Sequence, residues 1–146
     1  MPFTVTRELS FSYGHRLLGY PGKCHFLHGH NGRVEVTIAA DSLNEQGMVV
    51  DFGEIRATLE DWVDKTLDHH TILSKDDPLV TVLQEQGQLV LVLETPPTTE
   101  NLARFIFQQA KKLGFSVISV RVWETPKSFA QYTEPASGTS PDLLEI

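Results

Sequence analysis

The sequence predicts an α+β domain in which a four-stranded antiparallel sheet carries two main helices on one face. Three observations predict it. Apolar residues alternate at period two near both ends of the chain, two segments between them carry apolar residues at helical spacing, and 146 residues with 40% hydrophobic content suffice for one core. The domain is read as residues 1 to 134, followed by a loose tail at 135 to 146 that contains Pro135, Gly138 and Pro141.

Residues 3 to 13 place Phe3, Val5, the aliphatic part of Arg7, Leu9 and Phe11 on one face, the pattern of a half-buried strand. After a loop holding Gly14, Gly19, Pro21, Gly22 and Gly29, the run Arg33 to Ala40 alternates again with Val34, Val36 and Ile38 inward, a second strand. Asp41 to Gly47 carry turn chemistry, and Met48 to Asp51 lead into a helix from about Phe52 to Leu67, with Ile55, Leu59, Trp62, Val63 and Thr66 at helical spacing. A shorter amphipathic piece between Asp76 and Gly87 is carried by Leu79, Val82 and Leu83, and the β-like run Leu89 to Leu93 follows it. The stretch Pro96 to Asn101 offers a hydroxyl cap ahead of Glu100. From there Leu102, Phe105, Ile106, Ala110 and Leu113 continue a second helix to its stop at Gly114. Val117 to Glu124 make a third strand, and Phe129 to Tyr132 a fourth after the break at Pro126. An open four-stranded sheet leaves two edges bare, so association through strand edges is expected.

Twelve Lys and Arg against nineteen Asp and Glu give a formal charge of −7, the wrong sign for a protein that binds nucleic acid or an anionic membrane through phosphates. No apolar run approaches the roughly 18 residues of a spanning helix. Residues 1 to 8 lack the basic and apolar regions of a signal peptide, so a cytoplasmic location is expected. The lone cysteine, Cys24, has no intrachain partner for a disulfide.

Chemistry concentrates between residues 15 and 30. His28 and His30, two apart, fall on one side of an extended chain, and an antiparallel partner strand beginning near Asn31 would bring His15 to the same place. Neutral imidazoles so arranged suit zinc, and three of them without an obvious fourth ligand describe an open, catalytic type of site. A surface loop with scattered imidazoles fits the spacing equally well, and His25, of opposite parity, reads as solvated. Cys24 fits three roles: a fourth zinc ligand, a buried inert thiol, or a reactive thiolate beside the metal. Asp68, His69 and His70 close the first helix, either as a relay or as ordinary polar residues at a helix end. Glu124, ending an otherwise apolar strand, is either an exposed residue or an anchor for a ligand with adjacent N–H donors. Glu100 reads as helix capping.

Taken in order, Phe11-Ser12-Tyr13-Gly14-His15-Arg16-Leu17, Cys24-His25-Phe26-Leu27-His28-Gly29-His30-Asn31, Gly47-Met48-Val49-Val50-Asp51-Phe52, Leu67-Asp68-His69-His70, Pro97-Thr98-Thr99-Glu100-Asn101-Leu102 and Trp123-Glu124-Thr125 resemble the 6-pyruvoyl-tetrahydropterin synthase and 6-carboxytetrahydropterin synthase family. The resemblance implies a tunnelling fold (T-fold): four-stranded sheets of three subunits join into a barrel, two trimers stack into a hexamer, and active sites form at subunit interfaces. It implies zinc on His15, His28 and His30, acid/base catalysis by Cys24 with Asp68 and His69, and a pterin ring anchored by Glu124. Three residues between Cys24 and His28 resemble the carboxytetrahydropterin branch of the queuosine pathway, where the pyruvoyl branch usually has five. A third branch, in folate synthesis, replaces the cysteine with glutamate, and no glutamate lies between His15 and His30.

The implied function is a zinc-dependent lyase acting on 7,8-dihydroneopterin triphosphate, with loss of triphosphate and acetaldehyde. Two alternatives stand beside it: the pyruvoyl reaction, and a non-enzymic zinc-stabilised module with Cys24 as fourth ligand. The chain departs from the family pattern at Gly32, where an aromatic usually follows His-Gly-His-Asn, at Thr71-Ile72-Leu73, and in the longer stretch 74 to 95. With a net negative chain, the triphosphate is expected to meet a local cation, at least one of Arg16, Lys23 and Lys127.

Overall fold

In the computed structural model, which describes residues 1–135, strand β1 (Phe3–His15) pairs antiparallel with β2 (His28–Ala40) in a register unbroken from Phe3 opposite Ala40 to His15 opposite His28. Helices α1 (Phe52–Ile55) and α2 (Asp61–Thr66) follow, joined by a π turn at Arg56–Glu60. Next come β3 (His70–Ser74), α3 (Leu79–Glu85), β4 (Val90–Leu93), α4 (Thr99–Lys112), β5 (Val117–Thr125) and β6 (Ser128–Thr133). The expected tail at 135 to 146 lies, apart from Pro135, outside the described residues.

Two expectations about the sheet are corrected. It has six strands rather than four, in the order β4-β3-β1-β2-β5-β6, and it is mixed rather than antiparallel, because β3 pairs parallel with both β1 and β4. The expected antiparallel four remain its body, as β1-β2-β5-β6. The added pair arises in and just before the long stretch 74 to 95. In β3 the buried residues are the neighbours Ile72 and Leu73, as in a parallel strand covered on both faces, so no alternation marks it in the sequence. On β1 parallel pairing is confined to Tyr13, Gly14 and His15, and the outer edge of β1 from Phe3 to Phe11 faces no partner strand among the described residues. The second strand also starts five residues earlier than its alternation suggests, at His28, because pairing with β1 extends it through the glycine-rich stretch.

The helical rod from Phe52 to Thr66 starts where the Asp51 side chain accepts from the Gly53 N–H at 2.8 Å. Its inward residues, Ile55, Leu59, Val63 and Leu67, repeat every four residues and are fully buried. At 3.6 residues per turn such a repeat drifts by about 40° each step, and the wider π turn offsets part of that drift. Helix α4 is capped by Thr98, whose hydroxyl accepts from the Asn101 N–H at 3.2 Å, and carries Glu100 in its first turn and Lys111 and Lys112 in its last. Its Leu102, Ile106, Phe107 and Ala110 pack over β5 and β6, with the Phe107 ring 5.0 Å from that of Tyr132. Both helices bury against the face that carries Leu9, Phe11, Val34, Val36, Val120 and Val122, and that face continues into the histidines at the end of β1.

Candidate active site

Pairing of β1 with β2 sets His15 opposite His28 and Tyr13 opposite His30, so all four rings share one face of the sheet. The register of β2 with β5, Arg33 opposite Trp123, continues to set Glu124 beside Gly32, two residues from His30 on the same face. One nitrogen or oxygen from each of His15, His28, His30 and Glu124 lies within 4.8 Å of the other three. The three expected ligands are thus together, and Glu124, read from the sequence only as a ligand anchor, joins them. The signal for this was the strand register, which the sequence does not print.

The tautomers are set from behind. His15 Nδ1–H donates to the Pro97 carbonyl at 2.8 Å and His28 Nδ1–H to the Phe26 carbonyl at 2.7 Å, which leaves both Nε2 atoms as lone-pair donors to a metal. Burial is the main cause that pushes the His15 pKa below its ordinary value; the Pro97 contact opposes it, and His28 adds to the lowering. At 2% exposure this imidazole is held neutral, the form that ligates. Glu124 Oε1 stands 3.2 Å from His15 Nε2 and 2.9 Å from His30 Nε2, yet neither nitrogen makes an aligned hydrogen bond, while Oε2 accepts from the Thr99 hydroxyl at 3.1 Å. For His15 this is acceptor facing acceptor, a buried arrangement that calls for a cation between them. Three imidazole nitrogens and one carboxylate oxygen are a donor set suited to zinc.

Below these residues opens a cleft of ≈ 470 Å³ whose walls include Tyr13, His28, His30, Asn31, His69 and His70. His69 sits in the left-handed region at φ 60, the one non-glycine residue there among those described. Such a conformation costs a β-carbon residue on the order of 1–2 kcal/mol. It is held by two bonds to one residue of β1: the His69 N–H donates to the Ser12 carbonyl at 2.7 Å, and the Ser12 N–H donates to Asp68 Oδ1 at 2.8 Å. Asp68 Oδ2 accepts from His69 Nδ1 at 2.7 Å, which leaves His69 Nε2 exposed toward the cleft. The Ser12 amide and then His69 hold the Asp68 carboxyl below the usual carboxylate range.

Cys24 is a free, half-buried thiol in the 3₁₀ turn Lys23–His25. It does not line the cleft with His69, and it is not among the four residues whose donor atoms gather within 4.8 Å of one another, where Glu124 stands with the three histidines. Of the cations expected to meet phosphate, Arg16 is already engaged, its Nε donating to Asp77 Oδ2 at 2.8 Å and its Nη2 to Asp77 Oδ1. The Arg16 guanidinium fastens the segment before α3 to the end of β1. Lys23 and Lys127 remain exposed.

Residues 4–135 match the family described as 6-pyruvoyl tetrahydropterin synthase. A relative from Rickettsia bellii named 6-carboxy-5,6,7,8-tetrahydropterin synthase is 38% identical over 133 residues, covering 86% of this chain and 96% of its own. A protein of the same name from Haemophilus influenzae is 34% identical over 140 residues, covering 90% and 99%. Among solved structures, that of 6-pyruvoyl tetrahydropterin synthase from Caenorhabditis elegans superposes with a TM-score of 0.69 at 28% identity, covering 91% of this chain and 96% of the other. An uncharacterized protein from Wolinella succinogenes gives 0.78 at 26% identity, covering 91% and 98%.

Proposed function

The chain belongs to the 6-pyruvoyl tetrahydropterin synthase family, and on that premise we propose that it is a zinc-dependent 6-carboxy-5,6,7,8-tetrahydropterin synthase, a lyase of the queuosine pathway acting in the cytoplasm on 7,8-dihydroneopterin triphosphate. Its products are 6-carboxytetrahydropterin, triphosphate and acetaldehyde. The observation that carries the reading is the convergence of His15, His28, His30 and Glu124 beside a cleft that also receives the Asp68–His69 pair. The branch is supported by the names of the relatives and by the three residues between Cys24 and His28.

His15, His28 and His30 would hold the zinc, which when bound supplies a Lewis acid for the oxygenated side chain of the pterin. Cys24 removes the proton that becomes acidic beside that side chain, and the free Nε2 of His69 returns one. Asp68 keeps His69 in the tautomer whose Nε2 faces the cleft and favours the imidazolium that forms in the exchange. Glu124 borders a small hollow of ≈ 120 Å³ that it shares with Thr99, Glu100 and Phe129, and from there it accepts from the ring N–H and exocyclic amine of the pterin. Cys24 does not line the cleft that His69 lines in one chain, and the assembly that the family resemblance implies, a hexamer built as a dimer of trimers, would bring the full set together across copies.

Incubation of the zinc-loaded protein with 7,8-dihydroneopterin triphosphate, with products identified by mass, tests the proposal. 6-Carboxytetrahydropterin together with acetaldehyde is the expected result. A pterin that keeps all three side-chain carbons would move the assignment to the pyruvoyl reaction, and intact substrate after incubation with the loaded protein would overturn the enzyme reading.

A further inference from the structure

The loop from Leu17 to Leu27, which joins β1 to β2 and carries Cys24, is held mostly by itself. Its backbone hydrogen bonds among the described residues stay inside it: the Leu17 N–H donates to the Cys24 carbonyl at 2.8 Å, the Tyr20 N–H to Leu17 at 3.1 Å, the His25 N–H to Gly22 at 3.2 Å and the Phe26 N–H to Lys23 at 3.0 Å. Leu18, Tyr20, Phe26 and Leu27 are exposed, so burial of apolar side chains within the chain does not hold it either. Its far end is tied by the bond of His28 Nδ1–H to the Phe26 carbonyl. At its root stands Arg16, whose guanidinium donates to both carboxylate oxygens of Asp77.

Asp77 is a fixed anchor. It is 3% exposed, its N–H donates to the Ser74 carbonyl at 3.0 Å, its carbonyl accepts from the Val80 N–H at 3.1 Å and its Oδ1 from the Leu79 N–H at 2.9 Å. A planar guanidinium bound through two nitrogens to a carboxylate so held is fixed in orientation as well as in place. The residue before Arg16 has no need of this restraint. His15 is paired on both sides in the sheet, opposite His28 in β2 and Ile72 in β3, and its ring is tied to Pro97. The restraint therefore falls on the residue after Arg16, and Leu17 is the one whose N–H holds the Cys24 carbonyl.

We propose that Asp77 is a positioning residue for Cys24: it fixes Arg16 at the root of the loop, and through Leu17 this sets the turn on which the thiol stands. The stretch 74 to 95, longer than the family pattern, thereby gains a part in the reaction without touching substrate. The kinetic part rests on the reading of Cys24 as the group that removes a proton; the hold on the turn does not.

Asp77→Asn tests both parts in the zinc-loaded protein, well below the unfolding midpoint of either form. Cys24 is the one cysteine of the chain, so the rate of its alkylation by iodoacetamide reports on this turn alone. That rate is expected to rise about 10-fold as the loop opens more often. Zinc content is expected to stay at the wild-type value, and kcat on dihydroneopterin triphosphate to fall about 10–100-fold with KM within about 3-fold. The double variant Arg16→Met/Asp77→Asn should go no further than Asp77→Asn alone, since both remove one link. Glu60→Gln, which breaks the 3.1 Å pair of Arg7 with Glu60 beside the middle of β1, should leave alkylation unchanged. An equal rise in Glu60→Gln would mean general loosening and overturn the proposal, as would an unchanged alkylation rate in Asp77→Asn. Loss of zinc in Asp77→Asn would show that the pair acts through His15 and would overturn it too. Faster alkylation at unchanged kcat overturns the positioning role. A wild type that does not convert the pterin fails the functional reading instead, and alkylation still decides whether Asp77 holds the turn.

Discussion

At the scale of single residues, the metal set divides its roles unevenly. His15 is sealed in the core and tied to Pro97, so its removal would disturb folding as well as ligation. His28 and His30 are half-buried and test ligation more cleanly. His28→Ala or His30→Ala is expected to remove stoichiometric zinc while the far-ultraviolet spectrum stays that of the wild type, since a set of three histidine ligands leaves little redundancy. Metal analysis after gel filtration checks this, and wild-type zinc occupancy in both variants would refute the three-histidine assignment. The histidines were legible because a period of two in an extended chain is visible in one dimension. Glu124 as their neighbour was not, because it lies more than ninety positions away and is delivered by the β2–β5 register. Gly32 was visible only as a departure from a pattern; that it makes room for the Tyr13 ring is a statement about 2.9 Å in space.

At the scale of elements, the segment before α3 is fastened by one ion pair. Asp77, 3% exposed, accepts two bonds from Arg16 and a third from the Leu79 N–H at 2.9 Å. Arg16 is the main cause that holds the Asp77 carboxyl below the usual carboxylate range. A carboxyl whose pKa is lower folded than unfolded adds stability that is complete above its unfolded value, about 4, and is lost as pH falls through the lowered folded value. Asp77→Asn is therefore expected to lower the unfolding midpoint by about 3–10 °C at pH 7. The gap to wild type should narrow in scans taken below pH 4, and a gap independent of pH would show that the pair contributes through packing alone. Because Arg16 directly follows His15, this strap also couples the stretch 74 to 95 to the site. The sequence marked α3 and β4 by their apolar residues, but β3 lacked alternation and went unread.

At the scale of the whole molecule, the six-stranded sheet keeps edges without a partner strand among the described residues: the outer side of β1 from Phe3 to Phe11, the outer side of β6, and the free side of the short β4. No helix among the described residues is long and apolar enough to cross a membrane. Exposed Leu18, Tyr20, Phe26 and Leu27 surround the turn that carries Cys24, a surface that association would cover. If Cys24 of one copy serves His69 of another, mixed oligomers of Cys24→Ala and His69→Ala chains, inactive separately, should recover roughly a quarter of wild-type turnover by random mixing. Turnover measured after the two are unfolded together and reassembled checks this, and no recovery would mean that both groups act from one chain.

The sequence by itself determined the α+β class, the antiparallel body of the sheet, both long helices and the chemistry gathered around His28 and His30. These rest on local periodicity and on side chains whose neighbours in space are neighbours in the chain. The tertiary structure alone decided the parallel strands at the edge, the engagement of Arg16 with Asp77 and the meeting of Glu124 with three histidines. Each of these depends on which residues stand opposite one another across a register or a helix packing, and a one-dimensional pattern fixes the face a residue occupies without fixing what it faces.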